Sequence, residues 1–576
     1  MNRIFRSFIA VLTVLVLVSC NEDRLDIPQN GVYAEEDFYK TDADCEQAVA
    51  AIYSDIRTNF LYYHFCVTEL PGDDCYKGAS GYKLDDCHTL MLSLFDENHG
   101  YIKHEFQKLY SIVYRCNLVI DNFKNDDSPV KRQGVAEALT LRSWAYIYLI
   151  QIWGHPPIVD HVLRTSDEFQ QPNAYRRELW DFVINSLDEA IGSNAMQTKK
   201  DAHDRTAVRA TREFAIALKG KAQVIAGDYA DAKETLRKVI ESGKYELIPS
   251  EDLSRLFFSS EGNHNCESIF ETNIGMNNIN YKKVSSSDNW YSYCAPRVDK
   301  LPIEPGSFLN RYIDGWQYFQ PTESFLKDMI ANEGTQSYRF KAWFYTYEDM
   351  QDLGLGSLNA HRSEKTQKML DSFPADVASP DLESNTTKDH TGEIMGIWHR
   401  KFLMGPDEIY NGDANCDGVD RRYFRYAEVL LLYAEACAQL GETGGDGLKA
   451  LNEVAIRAGA PTYDILTLDN VKKEKRYEMW GENTRFFDLV RWGDAASVLS
   501  EHWNRLPVFY GYKSGMSRDD ISPDGRNIFD VYEIRMFDLE KFTNTSYLFQ
   551  AGKHEYMPYP ASELANNTLL RQNVGW

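Results

Sequence analysis

The chain has 576 residues, 43% apolar and 26% charged: enough to bury a large core, and too ordinary a mixture for a disordered or collagen-like chain. Its 86 acidic residues outnumber the 62 basic ones, for a formal charge of −24, which argues against general binding of nucleic-acid phosphates. Aromatic residues make up 13%, with 35 Tyr, and rings with an apolar face and a polar edge suit cores and binding platforms alike.

Arg3 and Arg6 precede an apolar run from Phe8 to Val18. The run is shorter than the roughly 20 residues a membrane span needs and fits the hydrophobic part of an export signal. It ends in Leu17-Val18-Ser19-Cys20, which resembles a bacterial lipobox. Residues 1–19 are therefore expected to be a lipoprotein signal peptide, and Cys20 the lipid-bearing (acylated, palmitate-type) first mature residue. Nine cysteines follow Cys20, an odd number, so at least one stays unpaired in a monomer. Cys66, Cys75 and Cys87 lie close enough in sequence for a disulfide. Cys116 and Cys437 fall on apolar helical positions and read as buried thiols.

Thr41 is expected to cap a helix through Ile56. A stretch dense in Tyr, Gly, Asp and Cys, from Leu61 to Asn98, reads as loop. Helices are expected over 100–121 and 135–153; Leu141, Trp144, Ala145, Tyr148 and Ile152 form one apolar face of the second, and Gly154-His155-Pro156-Pro157 stops it. Another helix is expected over about 174–192. The stretch 206–240 reads as a helical hairpin turning at Gly227-Asp228-Tyr229. Small residues at Gly220 and Ala232 make it similar to a tetratricopeptide repeat, in which paired helices approach closely. A strong helix is expected over 421–441, partnered by Leu448, Leu451 and Ala455. Between the two hairpins, roughly 245–420, the chain reads as irregular, with surface loops over 351–395; the stretch 496–555 reads likewise.

Several segments, in order, resemble the SusD/RagB family of Bacteroidetes surface lipoproteins. They are the lipobox, ALTLRSWAYIYLIQIWGHPPIV (138–159), RYAEVLLLYAEACAQLG (425–441), EKRYEMWGENTRFFDLVRWGD (474–494) and the chain end YMPYPASELANNTLLRQNVGW (556–576). Two positions depart from the family pattern: Trp480-Gly481-Glu482 replaces aromatic-Glu-Gly, and Val574 replaces a common proline. Asn21-Glu22-Asp23 resembles the surface-export signal of such lipoproteins. The resemblance implies an all-α, tetratricopeptide-like scaffold with long irregular loop insertions. It is read as an N-terminal helical region (20–240) and a C-terminal SusD/RagB region (241–576) packed as one globular body. It implies a non-enzymatic, surface-exposed, outer-membrane lipoprotein that captures oligosaccharide or polysaccharide and hands it to a SusC-like TonB-dependent transporter. A peptide-import lid and a surface glycoside hydrolase are the alternatives.

The charged and aromatic residues of 474–494 read as structural. Arg485, Asp488 and Arg491 form a ladder on one helix face, Arg476 is expected to pair with Glu482, and Gly575-Trp576 to pack as a plug. HExxH, GxSxG and Walker motifs are absent from the sequence. No cofactor is required, but Asp413, Asn415 and Asp417, followed by Gly418, match the start of an EF-hand calcium loop. Its twelfth position is Phe424, so Asp420 or Asp407 would have to close it. Carbohydrate recognition needs exposed rings beside hydrogen-bonding groups, and two regions qualify. One holds Tyr62, Tyr63, Tyr76 and Tyr82 near Asp73, Asp74 and Lys77. The other runs from Tyr281 to Tyr318 and includes Asn289, Trp290, Tyr291 and Trp316. Trp290, Trp316, Tyr291, Tyr76, Tyr82 and Asn289 are the expected contacts, located by chemistry since the family motifs do not cover them.

Overall fold

A computed structural model describes residues 38–57, 61–78, 86–271, 293–296, 301–312, 315–356, 395–403, 405, 419–500, 505–538 and 549–576. Thr41 begins the first helix: its hydroxyl accepts from the Asp44 amide (3.2 Å) and its own amide donates back to the Asp44 carboxylate (2.7 Å), opening α1 (Asp42–Arg57). The next stretch, expected as loop, folds instead into α2 (Leu61–Glu69), strand β1 (Cys75–Gly78) and α3 (Asp86–Met91). Every residue from His64 to Lys77 is buried, so the backbone there must find partners inside the protein, which a loose loop would not supply.

Two long helices follow, α4 (Gly100–Phe123) and α5 (Pro129–Trp153). Pro129 stands in the first turn, where a missing N–H leaves nothing unsatisfied, so α5 starts earlier than its apolar stripe. Next come α6 (Arg176–Gly192), α7 (Arg212–Ala226) and α8 (Tyr229–Ile240). Thr211 Oγ1 caps α7 by accepting from the Phe214 amide (3.1 Å), and Gly227 ends it at φ 88°. Close packing of α7 on α8 is as expected: a Cβ on Gly220 would lie 2.4 Å from Leu236 Cδ2.

Among the remaining elements are β2 (Ser268–Glu271), β3 (Tyr318–Pro321), α9 (Glu323–Glu333), α10 (Tyr338–Trp343), β4 (Phe344–Thr346), β5 (Ile397–His399), β6 (Arg422–Arg425), α11 (Tyr426–Gln439), α12 (Gly445–Ala458), α13 (Leu468–Glu478), α14 (Arg485–Trp492), β7 (Arg505–Tyr512), β8 (Tyr532–Asp538) and α15 (Ala561–Asn566). The strands pair antiparallel as β1–β3, β2–β6, β4–β5 and β7–β8. Two expectations are corrected here. The helix expected from 421 starts at Tyr426, because Arg422–Arg425 pairs with β2. The stretch 496–555 contains a long hairpin, β7–β8.

Mostly helical packing runs through both ends of the chain. Helix α4 packs on α5, α5 on α6, α6 on α7, α7 on α8, α8 on α11, and α11 on α12 and α13. The two hairpins that the sequence separates by some two hundred residues are thus direct neighbours. The C-terminal segment closes over the end of α5: Trp153 Nε1 donates to Pro558 O (3.0 Å), Met557 N to Ile152 O (2.8 Å), and the Trp576 ring stacks on Phe95 with centroids 5.2 Å apart. Of the expected Gly575-Trp576 plug, the Trp576 ring packs half-buried, while Gly575 stays exposed.

A lattice of buried charges ties the C-terminal elements together. Arg425 meets Glu267 (2.6 Å), Glu478 (2.6 Å) and Glu482 (2.7 Å); Arg339 meets Glu474 (2.5 Å) and Glu478 (3.1 Å), and also pairs with Glu333. Lys401 completes it, 2.5 Å from Glu482 and 4.0 Å above the Trp343 ring. Burial disfavours the Glu478 charge, but Arg457, Arg425 and Arg339 outweigh that and hold its carboxyl at about 2. Glu482 is therefore not the partner of Arg476, which instead binds Asp73 (3.0 Å) and Asp74 (2.7 Å). The expected ladder on α14 forms in its second half only: Asp488 pairs with Arg491 (2.8 Å), whereas Arg485 reaches Asp73 (2.7 Å). The eight described cysteines after Cys20 form no disulfide and are buried, including Cys66, Cys75 and Cys87; Cys66 Sγ lies 3.8 Å from Cys87 Sγ.

Candidate functional site

The antiparallel pairing of β1 with β3 sets Tyr76 opposite Gln320 and Gly78 opposite Tyr318. It joins the two aromatic regions singled out in the sequence, which lie more than two hundred residues apart. The loop before β3 is pressed against residues 293–296: Gly315 N donates to Pro296 O (3.1 Å) and Gln317 N to Ala295 O (2.9 Å). Only glycine fits at 315, since a Cβ there would sit 2.2 Å from the Ala295 carbonyl oxygen.

This contact holds a cluster of rings. Trp316, 43% exposed, stands edge-on to Tyr293 (centroids 4.9 Å, 72°) and tilted against Tyr318 (5.7 Å). Tyr293 stacks on Tyr62 (4.1 Å, 23°) from α2 and faces Tyr318 (6.2 Å, 15°). Tyr62 meets Tyr63 (5.4 Å) and Tyr101 (5.7 Å) edge to face, and Tyr63 lies over His104 (3.9 Å). Lys77 Nζ sits 5.6 Å above the Tyr318 ring. The Tyr62 hydroxyl reaches Cys87 Sγ (3.3 Å) and Tyr101 Oη (3.4 Å), which fixes the ring. Burial, then the neighbouring Cys66 and Cys87, pushes that phenol far above its ordinary range. Two non-glycine residues bracket Tyr318 in the left-handed region, Gln317 at φ 54° and Phe319 at φ 58°. Each costs about 1–3 kcal/mol, and such strain gathers at ligand sites, where it pre-sets side chains.

The sequence-level candidates separate as follows. Trp316 is presented to solvent. Tyr76 is not: at 2% exposure, within the β1–β3 ladder, it offers no face to a ligand, and the expectation that it contacts carbohydrate is corrected. Asp73 and Asp74 are likewise spent on structure, clamped by Arg476 and Arg485. Burial raises Asp74 to about 6 against the pull of Arg476. Trp290, Tyr291, Asn289, Tyr82, Cys20 and the loop positions Asp413, Asn415 and Asp417 lie outside the described residues. Sequence reading passed over Tyr101 and His104 as parts of a helix; their aromatic spacing of three, near the exposed end of α4, was the available signal.

One trio of metal-ligand type stands among the described residues: His264, Glu271 and Asp420. His264 bridges the two acids, Nδ1 to Glu271 (3.0 Å) and Nε2 to Asp420 (3.1 Å). Burial opposes its charge, but the bonds to Asp420 and Glu271 outweigh it and lift the imidazole to about 9. A ring that donates from both nitrogens has no lone pair left for a metal. Arg422 Nε, 3.2 Å from Glu271, supplies a second cation. The trio is a closed ion cluster, and Asp420, one of the residues expected to close a calcium loop, is occupied by His264.

A sequence model of the SusD family matches residues 266–576, more than half of the chain. The chain belongs to the SusD family. A SusD-like protein of Bacteroides ovatus is 23% identical over 99% of this chain and 98% of its own length. Among solved structures, surface glycan-binding protein A from Bacteroides thetaiotaomicron in complex with laminarihexaose superposes with a TM-score of 0.66 at 22% identity, covering 93% of this chain and 100% of that one. Surface glycan-binding protein A from Bacteroides fluxus gives a TM-score of 0.66 at 21% identity, covering 93% and 100%. These likenesses establish the SusD-like helical fold.

Proposed function

We propose that the protein is a cell-surface glycan-binding lipoprotein of the outer membrane, anchored through Cys20. It captures oligosaccharide on the Trp316 platform and passes it to a SusC-like TonB-dependent transporter without making or breaking a bond. The carrying observation is the exposed Trp316 ring, braced edge-on by Tyr293 on a strained backbone. A pyranose has an apolar C–H face that lies against such a ring, while its hydroxyls seek polar groups at the ring edges. Similarity to a protein crystallised with laminarihexaose supports the ligand class. Trp290, Tyr291, Asn289 and Tyr82 are proposed as further contacts, and Asp413, Asn415 and Asp417 as ligands of a calcium ion.

Isothermal titration of the soluble chain against a panel of plant, algal and host-mucin glycans tests this reading. At least one glycan should bind, and Trp316→Ala should weaken it tenfold or more with an unchanged melting temperature. Binding of oligopeptides with no response to any polysaccharide would move the protein to peptide import, and release of reducing ends would make it a hydrolase.

A further inference from the structure

A concavity of about 630 Å³ is lined by none of the platform's residues. Its wall on α4 includes Tyr110, nine residues after Tyr101; at about 100° per residue the two rings point to opposite sides of that helix. The other walls are the segment after α5 and the C-terminal segment around α15. Hydrogen bonds between these two walls hold the cleft open in advance: Gln170 Nε2 donates to Asn566 O (2.9 Å), Thr568 N to Gln170 Oε1 (2.7 Å), and Asn567 Nδ2 to Gln171 O (2.6 Å). Tyr110 is itself fixed by donating to Pro157 O (2.8 Å).

The lining has a definite chemistry. Phe169, 55% exposed, and the half-buried Tyr110 supply rings, with Phe106 buried behind them against Trp153 and Tyr559. The Asn566 carboxamide offers a paired donor and acceptor, and Gln107, whose Nε2 donates to Glu563 (3.4 Å), offers its amide oxygen. Glu563 is the one charged residue of the lining, and neither Lys nor Arg contributes to it. An anionic ligand would find no counter-charge. A neutral molecule with apolar C–H faces and many hydroxyls satisfies both the rings and the amides. We infer that this cleft is a second, independent saccharide site for a short neutral sugar, one that does not share a residue with the Trp316 platform.

Saturation-transfer NMR on the Trp316→Ala protein tests this, because the platform is already crippled there. The probes are cellobiose, laminaribiose, maltose, xylobiose, mannobiose and lactose at millimolar concentration. At least one should receive transfer from Trp316→Ala protein. That signal should fall at least fivefold when Phe169→Ala is added and, separately, when Asn566→Trp fills the mouth, with melting temperatures held. Absence of any signal in Trp316→Ala protein, or a signal that survives both additions, would overturn the inference. Neither result bears on whether the wild-type platform binds a longer glycan.

Discussion

Glu478 shows what a single side chain carries in the buried lattice. It is fully enclosed and shared among Arg425, Arg457 and Arg339, so its loss takes a counter-charge from three cations at once and leaves them fewer carboxylates than they need away from water. Glu478→Gln should cost about 3–5 kcal/mol of unfolding free energy, read from the urea midpoint. Glu69, at the end of α2, presents the opposite electrostatics. Burial lifts its carboxyl to about 8, against the pull of the Asn483 amide that donates to it. An unfolded glutamate titrates near 4.5. The raised group therefore contributes its full share of stability below that value and loses it as pH climbs through 8, at about 1.4 kcal/mol per pH unit inside the window. Glu69→Gln imitates the protonated form, so the variant should gain on the wild type steadily between pH 5 and pH 8 in denaturant titrations; a constant gap would contradict this. Neither role was legible beforehand. With 86 acids in the chain, nothing local marks Glu478 or Glu69, because their partners come from other elements.

At the scale of elements, Gly220 decides how closely α7 and α8 approach. A methyl group there meets Leu236 at 2.4 Å. Alanine returns about 1 kcal/mol of helix propensity, while overpacking costs about 1–3 kcal/mol. Gly220→Ala should thus destabilise by about 1 kcal/mol in the wild type and become stabilising in a Leu236→Ala background, a sign reversal that a double-mutant cycle reads directly. This hairpin was legible because its signals are local: small residues at Gly220 and Ala232 and a turn at Gly227-Asp228-Tyr229. The long helices α4, α5 and α11 were legible for the same reason. What escaped was pairing at a distance. Arg422–Arg425 looks like the start of a helix until Ser268–Glu271 is beside it, and α2 and α3 hide in a sequence whose aromatic and cysteine residues mask the helical period. Trp316 could be named from its polar, Gly-containing surroundings, whereas the burial of Tyr76 follows from the β1–β3 register, which no short stretch of sequence encodes.

Across the whole molecule, the C-terminal segment and the end of α5 form one structure. Asn573 Nδ2 donates to both Trp153 O (3.0 Å) and Met557 O (2.8 Å), and Trp576 Nε1 to Tyr556 O (3.1 Å). Deleting residues 556–576 should uncover Trp153, shift tryptophan emission to the red and open α5 to limited proteolysis; emission and cleavage matching the intact chain would refute that coupling. The family motifs at 138–159 and 556–576 were legible as separate words in the sequence, and the fold makes them adjacent. The ring cluster depends on the same long reach. Its rings come from residues 62–104, 293 and 316–318, and the Asp73-Asp74 turn beneath them is clamped by Arg476 and Arg485. The N-terminal part of the chain therefore carries the rings but cannot set them alone. A chain cut before Arg476 and Arg485 keeps every aromatic side chain of the cluster and loses both cations that brace Asp73 and Asp74, at the foot of β1.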